Sequence, residues 1–409
     1  MKCRSCSKDS LIEVLDLGMA PPSNRLFERD FVGSTEYLPL RVCVCTNCWL
    51  LQTSDFVERE DVFEEDYVYL SSTSNSWLRH CSDYVSMIKE KLKLSNRSLV
   101  IEIASNDGYL LQFFKDLGVP SLGIEPTTLP AQLAIDKGIE TLIEFFGHET
   151  AKKVSSKYGN ADLIVGNNVL AHVPDIKDFV TGVKTLLTEQ GTATFEFPYA
   201  VNLFDYNQYD TVYHEHFSYL TLSSVSHVFE QAGMRIFDVE ELDTHGGSLR
   251  IYVGHAETCL IAPTVARILA NENSIGITHL EYYQEWSAKV LSHKLAVLQK
   301  FVEWKKQGKK IVGYGAAAKG NTLLNYCGID VDFIDAIFDN ASSKQNKICP
   351  GSRIPIFAPN AENIASADII VIFPWNLKEE IQTEIRAKYP QCEADLYTLV
   401  PDIQKLLNA

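Results

Sequence analysis

The stretch YDTVYHEHFSYL, at positions 209–220, concentrates two histidines, one glutamate and three tyrosines in twelve residues. Its central order is His214-Glu215-His216, which excludes the HExxH spacing that places two zinc ligands on one face of a protease helix. In an extended segment the two histidines would share a face and Glu215 would point the opposite way. The spacing therefore leaves open a metal pair, a histidine base beside a carboxylate, or an ordinary buried edge.

Two CxxC pairs, Cys3–Cys6 and Cys45–Cys48, lie near the start of the chain. Four thiolates in two such knuckles satisfy tetrahedral zinc, and bound metal supplies folding energy that a small domain lacks. The segment between the pairs is longer than usual, Cys43 is a fifth candidate, and buried reduced cysteines are the alternative. Four thiolate ligands would leave no open position for catalysis. We therefore expect a structural zinc on Cys3, Cys6, Cys45 and Cys48.

The composition disfavours several classes of partner. The 409-residue chain carries 37 Lys and Arg against 53 Asp and Glu, a formal charge of −16. Binding to nucleic acid needs clustered positive charge, which this balance disfavours. There is no apolar run of about 18 residues, and MKCRSCSKDS is not a signal peptide. We therefore expect a cytoplasmic monomer without membrane or nucleic-acid partners, whose ten cysteines are thiols or metal ligands.

Strand-like and helix-like segments alternate through the middle of the chain. SLVIEIAS, LGIEP, ADLIVGNNVL and TATFEFP have the apolar character of buried strands. YLLQFFKDLG, PAQLAIDKG and FVTGVKTLLTEQG have helical spacing, and the last is predicted to end at Gly191. This βαβ rhythm indicates a doubly wound parallel sheet. Residues 278–308 repeat apolar positions at helical spacing and predict a long helix that joins two domains.

The same rhythm starts again after that helix. KIVGYGA predicts a strand, KGNTLLNYCG a helix, and DFIDAIFDN contains a further strand, while ADIIVIFPW and NLKEEIQTEIRAKY predict a final strand and helix. The predicted fold class is therefore α/β. We expect a small cysteine-rich N-terminal domain of loops and short strands at 1–66, a central Rossmann-like domain at 67–260 and a C-terminal Rossmann-like domain at 261–409.

The first strand–turn–helix unit has acidic residues where a nucleotide cofactor binds. Glu102 lies on the predicted strand, the turn ends at Gly108, and Glu125 ends the next strand. In a doubly wound sheet the ligand lies over the carboxyl ends of the strands, where a carboxylate can accept hydrogen bonds from a ribose. The G-x-G-x-x-G pattern of NAD enzymes is absent, because residues 104–108 contain one glycine. A cationic sulfonium cofactor suits this turn better than a dinucleotide, and an ordinary βα turn is the alternative.

The second unit, IVGYGAAAKGNTLLNY, has three glycines in a G-x-G-x4-G spacing. Lys319 lies beside the predicted helix start, where backbone N–H groups and the helix dipole favour an anion. Lys347 and Arg353 follow nearby in the sequence. We expect a diphosphate there, although structural glycine turns alone would also explain the glycines.

With these features in place, the chain resembles the S-adenosylmethionine (SAM)-dependent C-methyltransferases that act on nucleotide-linked deoxysugars. The resemblance runs nearly end to end, through the two CxxC pairs and the motifs YVYLSSTS, EIASNDGYLL, NNVLAHVPD, FDYNQYDTVYHEHFSYL, THGGSLR, GYGAAAKGNTLL and PWNL. It implies a zinc-binding N-terminal domain, a SAM-binding central domain and a C-terminal domain that helps to hold a dTDP-type sugar. Family members commonly have glycine where this chain has Ala104, a change that tightens the cofactor turn.

The resemblance implies methyl transfer to carbon 3 of a 4-keto-6-deoxy nucleotide sugar. Carbon becomes nucleophilic when a neighbouring ketone lets it form an enolate. The enzyme must supply a base, stabilise the enolate oxygen and align the carbon with the sulfonium methyl. By resemblance His216 is the base, since histidine titrates near neutral pH, and His214 has a supporting role. The further catalytic residues that it implies are Glu215, Tyr213, His172 and Tyr67.

Binding residues follow from the same motifs. Around SAM we expect Glu102, Ala104, Asn106, Gly108, Glu125, Pro126, Asn167 and Asn168. Around the sugar and its nucleotide we expect Tyr69, Ser71, His245, Gly246, Gly247, Lys319, Asn321, Thr322, Lys347, Arg353, Trp375 and Asn376. Ordinary core packing is the alternative for Tyr67, Tyr69 and Trp375.

Two other functions remain in competition. The two Rossmann-like units would suit an NAD-dependent nucleotide-sugar epimerase or reductase, but neither has the dinucleotide glycine pattern. A zinc-ribbon adaptor with degenerate nucleotide domains is the non-enzymatic alternative. The density of His, Tyr and Glu at the expected rim of the sheet argues against the adaptor.

Overall fold

A computed structural model describes residues 1–54 and 70–407 of the chain. Its strands form three larger sheets and a two-stranded ribbon. In chain order they are β1 (Leu11–Ala20), β2 (Phe27–Glu28), β3 (Leu38–Cys45), β4 (Leu51–Thr53), β5 (Val100–Ile103), β6 (Ser121–Ile124), β7 (Thr141–Leu142), β8 (Ala161–Asn167), β9 (Leu187–Pro198), β10 (Ser218–Tyr219), β11 (Met234–Leu242), β12 (Ser248–His255), β13 (Ile311–Tyr314), β14 (Ile337–Phe338), β15 (Lys347–Ile348), β16 (Ile356–Phe357), β17 (Ile369–Ile372), β18 (Asp395–Thr398) and β19 (Gln404–Lys405).

Helices connect most of the parallel strands. In chain order they are α1 (Asn75–Leu92), α2 (Leu111–Asp116), α3 (Thr128–Asp136), α4 (His148–Tyr158), α5 (Ile176–Leu186), α6 (Ala200–Asp205), α7 (Leu222–Gln231), α8 (Pro263–Ser274), α9 (Leu280–Lys306), α10 (Ala318–Cys327), α11 (Ala361–Ala365) and α12 (Lys378–Lys388). Within the described part of the chain, none of these helices is long and apolar enough to span a membrane.

The central sheet has the order β11-β12-β9-β8-β5-β6-β7. Strands β5 to β9 run parallel, and β12 and β11 continue the sheet antiparallel. All four residues of β5 are buried, as expected for a strand covered on both faces. The strand order reverses between β5 and β8, so the loops that follow these two strands border the switch point where such folds bind ligands.

The C-terminal sheet has the order β16-β14-β13-β17-β18-β19. Its strands are parallel except for β19, which pairs antiparallel with β18. The helix α10 follows β13 directly, so its first turn lies at the carboxyl end of this sheet. The predicted α/β fold class with two Rossmann-like sheets is therefore confirmed.

The N-terminal region forms a third, antiparallel sheet in the order β1-β3-β4-β10. Its fourth strand, β10, comes from the histidine-rich stretch: Ser218 pairs with Gln52, and Tyr219 with Leu51. The cysteine-rich region is therefore not a separate cap. Its sheet includes a piece of chain that is distant in the sequence.

Apolar packing also ties the N-terminal region to both larger sheets. Cys3, Cys45 and Leu50 belong to the core of the central sheet. Val42 of the N-terminal sheet belongs to a second core, which also contains residues of α9 and of the C-terminal sheet, such as Ile369. The three regions therefore share their cores instead of stabilising themselves separately.

Several predicted elements differ from the structure. The helix expected to end at Gly191 ends at Leu186, because Leu187 already pairs with Ala161 and the chain continues as β9. The predicted final strand and helix are followed by β18 and β19. The long helix predicted at 278–308 is confirmed as α9. The boundaries of the three predicted domains stay predictions; α8, just beyond position 260, packs on the central core through Val265 and Ile268.

The core shared through α9 can be tested with one substitution. Trp286 is 1% exposed and lies against Phe204 at a ring-centroid distance of 5.0 Å. Trp286→Ala should lower the free energy of unfolding by about 3–5 kcal/mol, because a buried aromatic side chain is lost and a cavity remains. The measurement is urea unfolding followed by circular dichroism. Leu295→Ala is the control: Leu295 is on the same helix but 58% exposed, so its cost should stay within about 0.5 kcal/mol. Equal costs would contradict the shared core.

Candidate active site

The turn after β5 has an unusual backbone. Ala104 and Asn106 adopt left-handed conformations, with φ of 56° and 48°, and Gly108 follows with φ of 75°. A Cβ atom on Gly108 would lie 2.4 Å from Cδ1 of Ile139, so glycine is required there. The left-handed conformation of Ala104 costs roughly 1–2 kcal/mol, which explains why glycine suits this position. The turn is thus held tightly against α3.

Two buried carboxylates lie beside this turn. Glu125 accepts hydrogen bonds from the backbone N–H groups of Asn106 and Thr127, both at 2.9 Å. Glu102 is fully buried, and neither of its carboxylate oxygens has a well-aligned hydrogen-bond partner among the described residues, although the Tyr109 side chain lies close enough to act as a donor. Burial raises the pKa of Glu102 well above its ordinary value, although the nearby Tyr109 side chain lowers it. Buried acceptors without well-aligned partners indicate a place for a ligand that donates hydrogen bonds.

The loop after β8 forms the other side of the switch point. Asn168 has φ of 55°, and its side-chain amide donates to Nε2 of His245 over 3.0 Å. The side-chain oxygen of Asn168 is buried and has no partner within the described chain. Asn167 ends β8, and Pro126 lies half-buried in the bend after Glu125.

Ser71 contacts the cofactor turn. Its backbone N–H donates to the side-chain oxygen of Asn106 over 2.9 Å, and the hydroxyl of Ser72 donates to Asp107. The SSTS segment thus covers the turn after β5, whereas the sequence assigned Ser71 to the sugar. Tyr67 and Tyr69 lie outside the described residues.

The histidine-rich stretch is a turn, which corrects the assumption of an extended segment. The N–H of His216 donates to the carbonyl of Tyr213 over 3.0 Å, and the ring centroids of these two residues lie 4.0 Å apart. His216 also donates from Nδ1 to the carbonyl of Thr211 over 2.9 Å, because a carbonyl can only accept. This fixes the proton on Nδ1 and leaves Nε2 as the basic nitrogen.

Three histidines with lowered pKa values lie around the end of β8. The pKa of His216 lies well below its ordinary value, mainly through burial and secondly through His172, whose ring is 4.6 Å away. Burial lowers the pKa of His172 and of His245 to about 4 each. His214 does not join this group, since it is buried beside Leu38 and Pro39 of β3. The turn therefore separates the two histidines of the motif.

The N-terminal region forms hydrogen bonds with the histidine-rich turn. The hydroxyl of Thr53 donates to the carbonyl of His216 over 3.0 Å. The guanidinium of Arg4, between the first two cysteines, donates to the carbonyls of Thr53 at 2.7 Å and Phe217 at 3.0 Å. A residue within the first CxxC motif is thus in direct contact with Phe217, the residue that follows His216.

The four predicted zinc ligands lie together. One ligand atom from each of Cys3, Cys6, Cys45 and Cys48 falls within 4.8 Å of the others. Cys43 lies outside this cluster and has its Sγ 3.8 Å from the hydroxyl of Ser54. Four thiols at this separation fit one tetrahedral zinc ion, which leaves no open coordination position.

The C-terminal region contributes a buried lysine. Nζ of Lys319, at the start of α10, donates to the side-chain oxygen of Asn376 over 2.7 Å and lies 4.5 Å from the ring centroid of Trp375. The indole N–H of Trp375 donates to Asp210 over 2.8 Å. Burial raises the pKa of Asp210 to about 6 and lowers that of Lys319, and each charge favours the ionised form of the other. The positive charge of Lys319 also contributes to the lowered pKa of His216.

The THGG turn packs against this lysine site. A Cβ atom on Gly246 would lie 2.4 Å from Cη2 of Trp375, and one on Gly247 would lie 1.9 Å from Nδ2 of Asn202. Gly246 thus allows contact between the central and C-terminal regions, and Gly247 allows close packing on α6 within the central region. His245, in the same turn, lies 5.1 Å from the ring of Trp77.

The remaining predicted substrate residues fall into two groups. Asn321 is buried, and its side-chain nitrogen has no partner in the described chain, whereas the hydroxyl of Thr322 donates to the carbonyl of Val212 over 3.1 Å. Lys347 and Arg353 contact the N-terminal region instead: Lys347 lies 3.9 Å from Glu28, and Arg353 donates to a carbonyl at 3.3 Å.

Sequence reasoning missed several side chains at this site. Asn24 contacts Glu215, Asp210 contacts Trp375, and Trp77 and His80 stack near His245. Asp210 belongs to the quoted histidine-rich stretch and could have been noticed as an acidic residue. No spacing signal connects Asn24 to Glu215, which is 191 residues away.

Three family models match consecutive parts of the chain. They are described as a zinc binding domain (residues 3–63), a methyltransferase domain (78–239) and a C-methyltransferase C-terminal domain (243–401). C-methyltransferase NovU from Streptomyces niveus is 35% identical over 93% of this chain and 91% of its own length. The chain belongs to the C-methyltransferase family. This membership replaces the two alternatives, an NAD-dependent epimerase or reductase and a zinc-ribbon adaptor.

Solved structures show weaker similarity to this C-methyltransferase. The PH0226 protein from Pyrococcus horikoshii OT3 is 14% identical over 49% of this chain and 99% of its own, with a TM-score of 0.37. Magnesium protoporphyrin IX methyltransferase from Synechocystis PCC 6803 is 11% identical over 50% of this chain and 100% of its own, with a TM-score of 0.35. Similarity at this level supports no further conclusion.

The protein is thus a SAM-dependent C-methyltransferase with a zinc-binding N-terminal region, as predicted. The turn after β5 fits SAM because the buried carboxylates of Glu102 and Glu125 beside it can receive the hydroxyl and ammonium donors of the cofactor. The four clustered cysteines fit zinc.

Zinc content should depend on the clustered thiols alone. Cys45→Ser should reduce bound zinc from about one equivalent to well below it and lower the melting temperature, because bound metal contributes to folding. Elemental analysis and thermal melting measure the two effects. Cys43→Ser is the matched control and should retain the metal, since Cys43 is outside the cluster. Loss of zinc in both variants would contradict the assignment.

Glu125 is predicted to support SAM. Glu125→Ala leaves the N–H groups of Asn106 and Thr127 without their acceptor and removes the proposed ribose partner, so SAM should bind about 10-fold more weakly or worse. Isothermal titration calorimetry measures this affinity. Unaltered SAM affinity would remove Glu125 from this role.

Proposed function

We propose that this enzyme methylates carbon 3 of a dTDP-type 4-keto-6-deoxy nucleotide sugar, with His216 as the base that forms the enolate. The sugar assignment rests on the resemblance of the sequence motifs. One observation supports the base most directly: Nδ1 of His216 donates to the carbonyl of Thr211, so the basic nitrogen is Nε2. The lowered pKa keeps this imidazole neutral near pH 7, ready to accept a proton.

The electron flow in this proposal starts at the carbon–hydrogen bond next to the ketone. Nε2 of His216 takes the proton, the bonding pair becomes a carbon–carbon double bond, and the carbonyl pair moves to the oxygen. When bound, SAM would supply an electrophilic methyl group, whose bond to sulfur breaks as the bond to carbon 3 forms, so that the cofactor leaves as a neutral thioether. The electron pair on the enolate oxygen then re-forms the ketone, and His216 is left protonated.

The enolate oxygen needs a donor or a positive charge nearby. Glu215 and Tyr213 are in the same turn as His216, and burial raises the pKa of Glu215 to about 7. The charge of Lys319 lowers the pKa of both His216 and His245, so its field extends to this side of the site. A positive charge here disfavours a protonated base before the reaction and stabilises the negative charge that develops on the substrate.

The nucleotide diphosphate is proposed to lie at the start of α10. The first turn of the helix points unsatisfied N–H groups toward an anion. The unpartnered side-chain nitrogen of Asn321 provides a further donor within the described residues. Trp375 and Asn376 hold Lys319 in place, which leaves the sugar between this helix and the THGG turn.

Substitution of the base tests the proposed function. His216→Asn should leave both ligands bound and reduce turnover by about 10²–10⁴, because a positioned acid/base group is lost. The decisive measurement is exchange of deuterium from solvent at carbon 3 of a 4-keto nucleotide sugar, followed by NMR, which should stop. Retained exchange would assign proton removal to another residue, with His172 the next candidate.

His214→Asn is the matched control for this experiment. It changes the neighbouring histidine of the same motif, which is buried beside β3 and away from the His172–His216 pair. Exchange at carbon 3 should therefore continue. Equal losses in the two variants, rescued by a divalent metal, would favour a metal pair over a base.

A further inference from the structure

The N-terminal region places one side chain against Glu215. Asn24, in the loop between β1 and β2, donates from Nδ2 to both carboxylate oxygens of Glu215, at 2.7 and 2.8 Å. Within residues 1–54 and 70–407, this amide is the one hydrogen-bonding partner of that carboxylate. Glu215 is 6% exposed, so it has little access to water as an alternative donor.

A contact with α10 fixes the loop that holds Asn24. Ser23 is buried, and its hydroxyl lies 3.1 Å from that of Thr322 on α10. Thr322 in turn donates to the carbonyl of Val212, one residue before the turn with Glu215. The position of the amide is therefore set by the same elements that set the position of the carboxylate.

The charged and titratable groups around Glu215 do not replace this contact. His172 reaches its backbone carbonyl from Nδ1 over 2.9 Å, and His214 and His216 flank it in the chain. All three histidines have lowered pKa values, so they are neutral near pH 7. Arg25, next to Asn24, is exposed and pairs with Glu36 at 3.1 Å. The Asn24 amide thus provides the hydrogen bonds that favour the ionised form of Glu215.

We propose that Asn24 is a positioning residue that orients the Glu215 carboxylate and favours its ionised form against the effect of burial. This inference rests on the proposed role of Glu215 beside the base. An amide nitrogen donates without carrying charge, so it stabilises the carboxylate without protonating the substrate. The zinc-binding region then has a part in the chemistry as well as in folding, because it supplies this donor.

The protonation of Glu215 can be measured without any substrate. Protein labelled with ¹³C in its glutamate carboxyl groups is titrated by infrared spectroscopy, and the band of Glu215 is the one missing from Glu215→Gln. In the unsubstituted enzyme this band should titrate at about pH 7, because burial raises the pKa of Glu215. Asn24→Ala should move the midpoint upward by about one pH unit, because it removes the hydrogen bonds that favour the charged form.

Kinetics provide the second readout. In Asn24→Ala the acidic limb of the kcat/KM profile should move to higher pH by the same amount, with the KM for SAM unchanged. In a Glu215→Gln background, Asn24→Ala should cause no further shift of the profile. Arg25→Ala is the matched control, since it alters the same loop without touching Glu215, and its profile should match that of the unsubstituted enzyme.

Zinc content and melting temperature show whether Asn24→Ala is folded. If it is not, Asn24→Ser provides the same test, because a serine hydroxyl is too short to reach both oxygens and the midpoint should still rise. An unchanged midpoint in the folded variant overturns the proposal. A shifted midpoint together with retained deuterium exchange in His216→Asn would leave Asn24 in place and overturn only His216 as the base.

Discussion

The pairing of β10 with β4 is the interaction on which the active site depends. It makes the chain that follows His216 the fourth strand of the N-terminal sheet. The hydroxyl of Thr53 donates to the carbonyl of His216, and the guanidinium of Arg4 donates to the carbonyls of Thr53 and Phe217. A turn with two buried histidine rings and a buried carboxylate is costly to form alone, because each group loses hydration there. Backbone pairing with the N-terminal sheet, which carries the four clustered cysteines, offsets this loss of hydration.

Burial determines the electrostatics of the site. Loss of hydration is the largest cause of the lowered pKa of His216 and of the raised pKa of Glu215. Both shifts favour the neutral form, so a site near pH 7 has an unprotonated base beside a carboxylate close to its midpoint. Asn24 opposes burial at Glu215, because its hydrogen bonds favour the charged form of the carboxylate. At His216, by contrast, the charge of Lys319 adds to burial in lowering the pKa. In the proposed reaction, a neutral base near a positive charge would favour both proton removal and the negative charge that follows.

The three regions of the chain meet at the site through contacts that leave little room for side chains. Gly246 allows the THGG turn to touch Trp375, whose indole holds Asp210 beside Lys319. Substrate groups held by α10 would therefore lie close to the loops of the central sheet. In the proposed reaction, this arrangement would bring the base, the cofactor turn and the anion site close together.

The sequence by itself determined the local features of this protein. Apolar rhythm predicted the parallel strands and α9, and two CxxC pairs predicted the zinc cluster. The rhythm of a strand or helix depends on neighbours within a few residues, and each CxxC pair is recognisable within its own motif, although the meeting of the two pairs is a tertiary contact. The acidic residues around the turn after β5 stay a prediction for SAM. The tertiary structure alone decided which histidine of the motif faces His172, that β10 joins the N-terminal sheet, and that Asn24 meets Glu215. Such contacts join residues far apart in the chain, and their energies come from burial and pairing that no local spacing encodes.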